Sequence, residues 1–273
     1  MASLADLLKD AVEISHQSLT SGLLPGESPR YHDGDGKHYV SDMVGQKIYR
    51  IDVKTGEKET VLKVEPQLNG MCFHPDGSLV YSSMFDAKLY KFDMETGQIT
   101  LYADLSEFIT DYCGDMVIDK HGQPDGTVQV AVEDLRFPNG VAIESSKKTL
   151  YLSESFGHFL PTFEIDAEGR LHNQATAWNM TQLTSAPRVN AIDGLLVDHR
   201  VYVRRDKRGV FTHYIQADGE PVACALSGDD GKTPFVVTNT WDKGSIFEAM
   251  MNKGTRGTIT TARVEVGKGK GLP

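Results

Sequence analysis

Short apolar runs broken by polar turns recur along most of the chain. Asn69-Gly70-Met71-Cys72-Phe73 leads through His74-Pro75-Asp76-Gly77 into Ser78-Leu79-Val80-Tyr81, which reads as a strand, a glycine-containing turn and a second strand. The same phrase opens at Glu27-Ser28-Pro29 and Asn139-Gly140-Val141, with weaker copies at Gly114-Asp115-Met116, Asp193-Gly194-Leu195 and Ala223-Cys224-Ala225. A second hairpin follows where the pattern is clearest, in Lys47–Asp52 turning at Thr55-Gly56 and in Lys88–Asp93 turning at Thr96-Gly97. Four short strands per unit, repeating every ~40 to 50 residues with no intervening helical pattern, are the pattern of propeller blades. Six openings predict an all-β, six-bladed β-propeller.

Ahead of the repeats, Leu4, Leu7, Leu8 and Val12 fall at helical spacing and predict a short amphipathic N-terminal helix over Met1–Ser15. Residues 1–20 are then a helical segment and 21–273 a single propeller domain. The units opening at Gly114 and Asp193 are too short for four strands. In the third unit, Asp119-Lys120-His121-Gly122-Gln123 runs straight into Pro124-Asp125-Gly126-Thr127, one turn phrase after another. Either that blade is degenerate, or strand residues of a longer parent are omitted; the second is favoured, because a closed ring tolerates unpaired strand edges poorly.

Charge narrows the partners. The formal net charge of −10 argues against nucleic acid, which needs clustered Lys and Arg, and suits a cation. No apolar run approaches the length of a membrane span, and the acidic N-terminus is unlike a signal peptide. Cys72, Cys113 and Cys224 are odd in number and far apart, so neither a disulfide framework nor a zinc knuckle is expected and a cytoplasmic location is the simplest.

In a propeller the first residue of each innermost strand lies near the central channel, so residues far apart in sequence converge there. The openers are Glu27, Asn69, Gly114, Asn139, Asp193 and Ala223. Four carry side-chain oxygens, a donor set for a hard cation such as Ca2+ or another divalent ion. Asn-Gly and Asp-Gly are ordinary turn dipeptides, but here three of them precede an apolar strand at the same phase of the repeat, where turns normally follow strands.

These residues resemble the senescence marker protein-30, gluconolactonase and luciferin-regenerating enzyme family. Gly26-Glu27-Ser28-Pro29 is similar to its opening glutamate ligand, Phe137-Pro138-Asn139-Gly140 to its asparagine ligand, and Ile192-Asp193-Gly194 to the segment whose aspartate is ligand and candidate base. The resemblance implies a six-bladed propeller with Ca2+ held by Glu27, Asn139 and Asp193. It also implies that Asp193 is catalytic and that the activity is hydrolysis of a small-molecule lactone. Asn69, Asp115 and Tyr112 are the candidate substrate contacts. The chain departs from the family at Gly114, where an asparagine is expected, and at Tyr112, where the family carries arginine, which disfavours a sugar acid and favours a less polar lactone or ester. Two alternatives stand beside this: an arylesterase or phosphotriesterase on the same site, and a non-catalytic propeller serving as a binding scaffold.

Overall fold

A computed structural model describes residues 6, 8–110, 112–118, 128–144, 146, 148–154, 157, 159–179, 195–198, 201–205, 211–265 and 267. They are almost wholly β. Strands β3 (Gly26–His32), β4 (Lys37–Asp42), β5 (Lys47–Asp52) and β6 (Lys58–Lys63) form one antiparallel meander, and β7 (Leu68–Phe73), β8 (Leu79–Ser83), β9 (Lys88–Phe92) and β10 (Ile99–Asp104) form the next. A third consists of β11 (Pro138–Ile143), β12 (Thr149–Glu154), β13 (Phe159–Ile165) and β14 (Leu171–Asn179). A fourth joins β18 (Glu220–Ser227), β19 (Thr233–Trp241) and β20 (Thr255–Ala262) to β2 (His16–Leu23), so that a strand from near the N-terminus completes a sheet from near the C-terminus.

The remaining sheet is mixed. Strands β15 (Leu195–Asp198), β16 (Val201–Arg205) and β17 (Phe211–Gln216) are antiparallel, and β1 (Val12–Glu13) adds to β17 in parallel. The first strands are neighbours: β3 packs beside both β18 and β7, and β15 beside β18. Apolar cores lie between successive sheets. Tyr39, Ile48, Leu68, Met71 and Tyr81 join the first two meanders, and Leu23, Val40, Ile51, Phe235 and Ile259 join the first to the β18 sheet. The arrangement is propeller-like, but it has four complete antiparallel blades and one mixed sheet among the described residues, which corrects the expectation of six blades.

The count fails in the third unit. Its described residues contribute no strand between β10 and β11. Instead Gly114 lies directly against β7, where a Cβ on Gly70 would come within 2.6 Å of the Gly114 carbonyl oxygen, and on its other side Gly114 faces the Pro138 carbonyl of β11. The strip stands beside the inner strands with no described meander behind it.

The expectation of a helix running over Met1–Ser15 is corrected too, since the segment is strand at Val12 and Glu13. Val12 and Glu13 pair with His213 and Tyr214, and the Ile14 N–H donates to the Tyr214 carbonyl at 2.8 Å. Helical spacing of four apolar residues is a weak local preference, and the open edge of β17 offers backbone partners that outweigh it. Helix α1 (Ile246–Met251) lies between β19 and β20 and starts with a capping box made by Ser245 and Glu248. No helix among the described residues is long and apolar enough to cross a membrane.

Candidate functional site

Glu27, Asn69 and Asn139 are each the second residue of their strand, in β3, β7 and β11. The pairing register breaks at each of them: between Glu27 and Arg30, between Leu68 and Met71 around Asn69, and between Pro138 and Val141 around Asn139. An irregularity of this kind re-aims the side chains of an inner strand, which is why bulges gather near functional sites. Neighbouring strands hold the bulges in shape. The Gly70 N–H donates to Ser82 Oγ at 2.8 Å, and the Gly140 N–H to Ser153 Oγ at 2.9 Å. In β3 the corresponding residue is Ser28, held at φ 51°.

Acidic residues closing the second strand fix the chain as it enters the first. Asp42 Oδ1 accepts the Leu24 N–H at 2.6 Å, and Glu154 Oε2 accepts the Arg136 N–H at 2.9 Å, in each case two residues ahead of the strand. The repeat seen in sequence thus has a hydrogen-bonding logic at the end where the candidate residues sit.

Glu27 is largely enclosed by protein but keeps some exposure. Burial pushes its carboxyl up from 4.5 to about 8, and the nearby Asp115 carboxylate adds to the rise; the Ser28 N–H, 3.1 Å from Oε2, and the Arg30 guanidinium oppose it. Asn69 donates through Nδ2 to the Cys113 carbonyl at 3.1 Å, and its Oδ1 is buried without a protein donor. Asn139 is half-buried. Asp193 lies outside the described residues.

Asp115 is heavily used by the protein itself. Its Oδ1 accepts from Ser28 Oγ at 2.5 Å, from Arg30 Nη2 at 2.5 Å and from the Met116 N–H at 2.9 Å. Arg30 also reaches the carbonyls of Pro29 and Met116, and Ser28 Oγ accepts the Met71 N–H at 3.3 Å. This cluster ties the bladeless third unit to β3 and β7. Sequence reasoning missed Arg30; the available signal was a basic residue inside an inner strand. Tyr112 is 54% exposed, and its ring meets Phe85 edge-on at 5.3 Å.

The side-chain donors of Glu27 and Asn139 are oxygen, which fits a hard divalent cation. One observation supports the fit: the Glu27 carboxylate is enclosed and its charge is resisted by its surroundings. Among the described residues no group of three His, Cys, Asp or Glu could hold a metal, so the fit rests on mixed carboxylate and amide ligands.

A pH dependence follows. The folded protein holds the Glu27 proton more tightly than the unfolded chain does, so between pH 4.5 and about 8 the folded state carries the extra proton. Stability of chelator-treated protein therefore falls as pH rises through that window, by up to roughly 5 kcal/mol, and levels off above it. Calcium should stabilise more at pH 8 than at pH 5, because binding at low pH must first displace the proton. Urea unfolding at the two pH values measures both effects. Glu27→Gln should flatten the slope, and an unchanged slope in that variant would assign it elsewhere.

Comparison with known proteins adds the family. The SMP-30/Gluconolactonase/LRE-like region matches residues 25–123 and 121–240, two pieces that meet within the third unit, where one turn phrase follows another. No curated protein sequence matches the chain. Structures sharing the fold include the calcium-binding protein regucalcin from Agrobacterium tumefaciens, at 15% identity and TM-score 0.70 over 98% of both chains. A luciferin-regenerating enzyme has 13% identity and TM-score 0.74, over 94% of this chain and 97% of its own. A gluconolactonase from Xanthomonas campestris has 16% identity and TM-score 0.66, over 96% and 93%. At these identities the structures speak to fold alone, whereas the sequence match spans most of the chain, and on that match the chain belongs to the SMP-30/gluconolactonase/LRE-like family.

Proposed function

We propose that this protein is a cytoplasmic, divalent-metal-dependent hydrolase that opens a small-molecule lactone, with Ca2+ as the ion. The observation that carries the reading is the set of oxygen-bearing residues at one phase of three inner strands, each at a bulge, in a chain of this family. Family membership supports a lactonase-type propeller, and neighbours described as a gluconolactonase and a calcium-binding protein agree with it. Cys72, Cys113 and Cys224 are all buried thiols, which suits a reducing compartment.

Glu27, Asn139 and Asp193 would hold the ion. When bound it supplies a Lewis acid that polarises the lactone carbonyl and favours the developing negative charge. Asp193 orients the attacking water and takes its proton. The Asn69 amide, fixed through Nδ2 to the Cys113 carbonyl, presents its Oδ1 as an acceptor for a donor on the substrate. Asp115, Ser28 and Arg30 hold the third unit in place behind these groups.

A panel of lactones, aryl esters and phosphotriesters, assayed with added Ca2+ and with chelator, tests the proposal. Lactone turnover should exceed that of the other classes and vanish on chelation, and Glu27→Gln should reproduce the loss. Preferred turnover of aryl esters or phosphotriesters would replace the substrate class while keeping the site. No turnover, together with no tight central ion and no loss of stability on chelation, would leave a binding scaffold.

A further inference from the structure

We propose that the ligand of this site carries an apolar, planar substituent, and that Phe85 and Tyr112 form the wall against which it lies. The inference rests on the reading above only for where the polar end is held. Phe85 and Tyr112 are 50% and 54% exposed, and their rings stand at 5.3 Å with an interplanar angle of 85°. Two large aromatic side chains sharing an edge-to-face contact while each leaves half its surface in water form a ready surface for a third ring.

Their position gives the wall its meaning. Leu68 pairs with Ser83, so the turn after β8 that carries Phe85 lies at the end of the blade where β7 begins, beside Asn69. Tyr112 is fixed by its neighbour: the Cys113 N–H donates to the Met84 carbonyl at 3.1 Å, and the Cys113 carbonyl accepts from Asn69 Nδ2 at 3.1 Å. Two hydrogen bonds therefore connect the aromatic pair to the amide whose Oδ1 lacks a protein donor. Met84, next to Phe85 in the chain, is buried and packs with Met43, Val44 and Met250. A ligand held at the oxygen cluster extends over a rim of aromatic carbon. That rim offers a polyhydroxylated chain little beyond the Tyr112 hydroxyl, and offers an aryl substituent a stacking surface.

Calorimetric titration with δ-valerolactam and 6-phenyl-δ-valerolactam in saturating Ca2+ tests this without depending on turnover, because a lactam keeps the ring carbonyl and resists hydrolysis. The parent should bind the phenyl compound on the order of tenfold tighter or more. Phe85→Ala should lose most of that preference, while δ-valerolactam affinity, Ca2+ binding and melting temperature stay unchanged. Equal affinities in the parent, no measurable binding of the phenyl compound, or equal loss for both compounds in the variant overturns the wall. A phenyl preference in a protein that hydrolyses no lactone sinks the hydrolase reading and keeps the wall. Equal turnover of bare and phenyl-substituted δ-valerolactone together with equal lactam affinities does the reverse.

Discussion

Replacing Arg30 with methionine is expected to destabilise the protein by about 3 to 5 kcal/mol, the usual result of removing one partner from a buried ion pair. The Arg30 side chain is 3% exposed and that of Asp115 is 10%, with Nη2 and Oδ1 2.5 Å apart. Methionine fills a similar volume and leaves the Asp115 carboxylate buried with only Ser28 Oγ and the Met116 N–H as donors. The orphaned charge, not the lost contact, sets the cost. A fall in melting temperature of roughly 10 °C should accompany it. Arg30→Met/Asp115→Leu should recover much of the loss, since replacing both charges by apolar groups is often nearly neutral, and urea unfolding of the four proteins completes the cycle. A single-variant loss below about 1 kcal/mol would mean that water reaches the pair and that the third unit is held by something else.

That pair also marks where sequence reading reaches its limit. The blade strands were legible because turn chemistry and short apolar runs are local: the run expected at Lys47–Asp52 is β5, and the one at Lys88–Asp93 is β9 with its last residue in the following turn. The placement of Glu27, Asn69 and Asn139 was legible for the same reason, since an Asn-Gly or Glu-Ser before a strand repeats at one phase and the bulges fall there. The blade count was not, because counting openings assumes that every opening leads four strands, and Gly114 leads none among the described residues. The N-terminal strands were not legible either: β1 finds its partner about 200 positions away in β17, and no local pattern encodes that choice. Asp115, read as a substrate contact, has a competing use in Arg30, which lies 85 residues away in sequence. Only the assembled inner strands bring the two together.

Replacing Asp193 with asparagine should reduce lactone turnover by ~10² to 10⁴-fold even when the metal site is full, the range typical of a lost general base. Asparagine keeps an oxygen donor at a similar reach and removes a negative charge, leaving Glu27 as the remaining anionic ligand in the proposed set. Calcium affinity depends on ligand charge count, so affinity should fall as well. The two losses are separable by titration. Raising Ca2+ until occupancy matches the parent restores the ligand role alone, and the rate deficit that survives measures the base. If turnover returns to the parent level at full occupancy, Asp193 is only a ligand and another group takes the proton. If calcium affinity and turnover are both unchanged, Asp193 is not at the centre, and the opener of the fifth unit has to be sought at another residue.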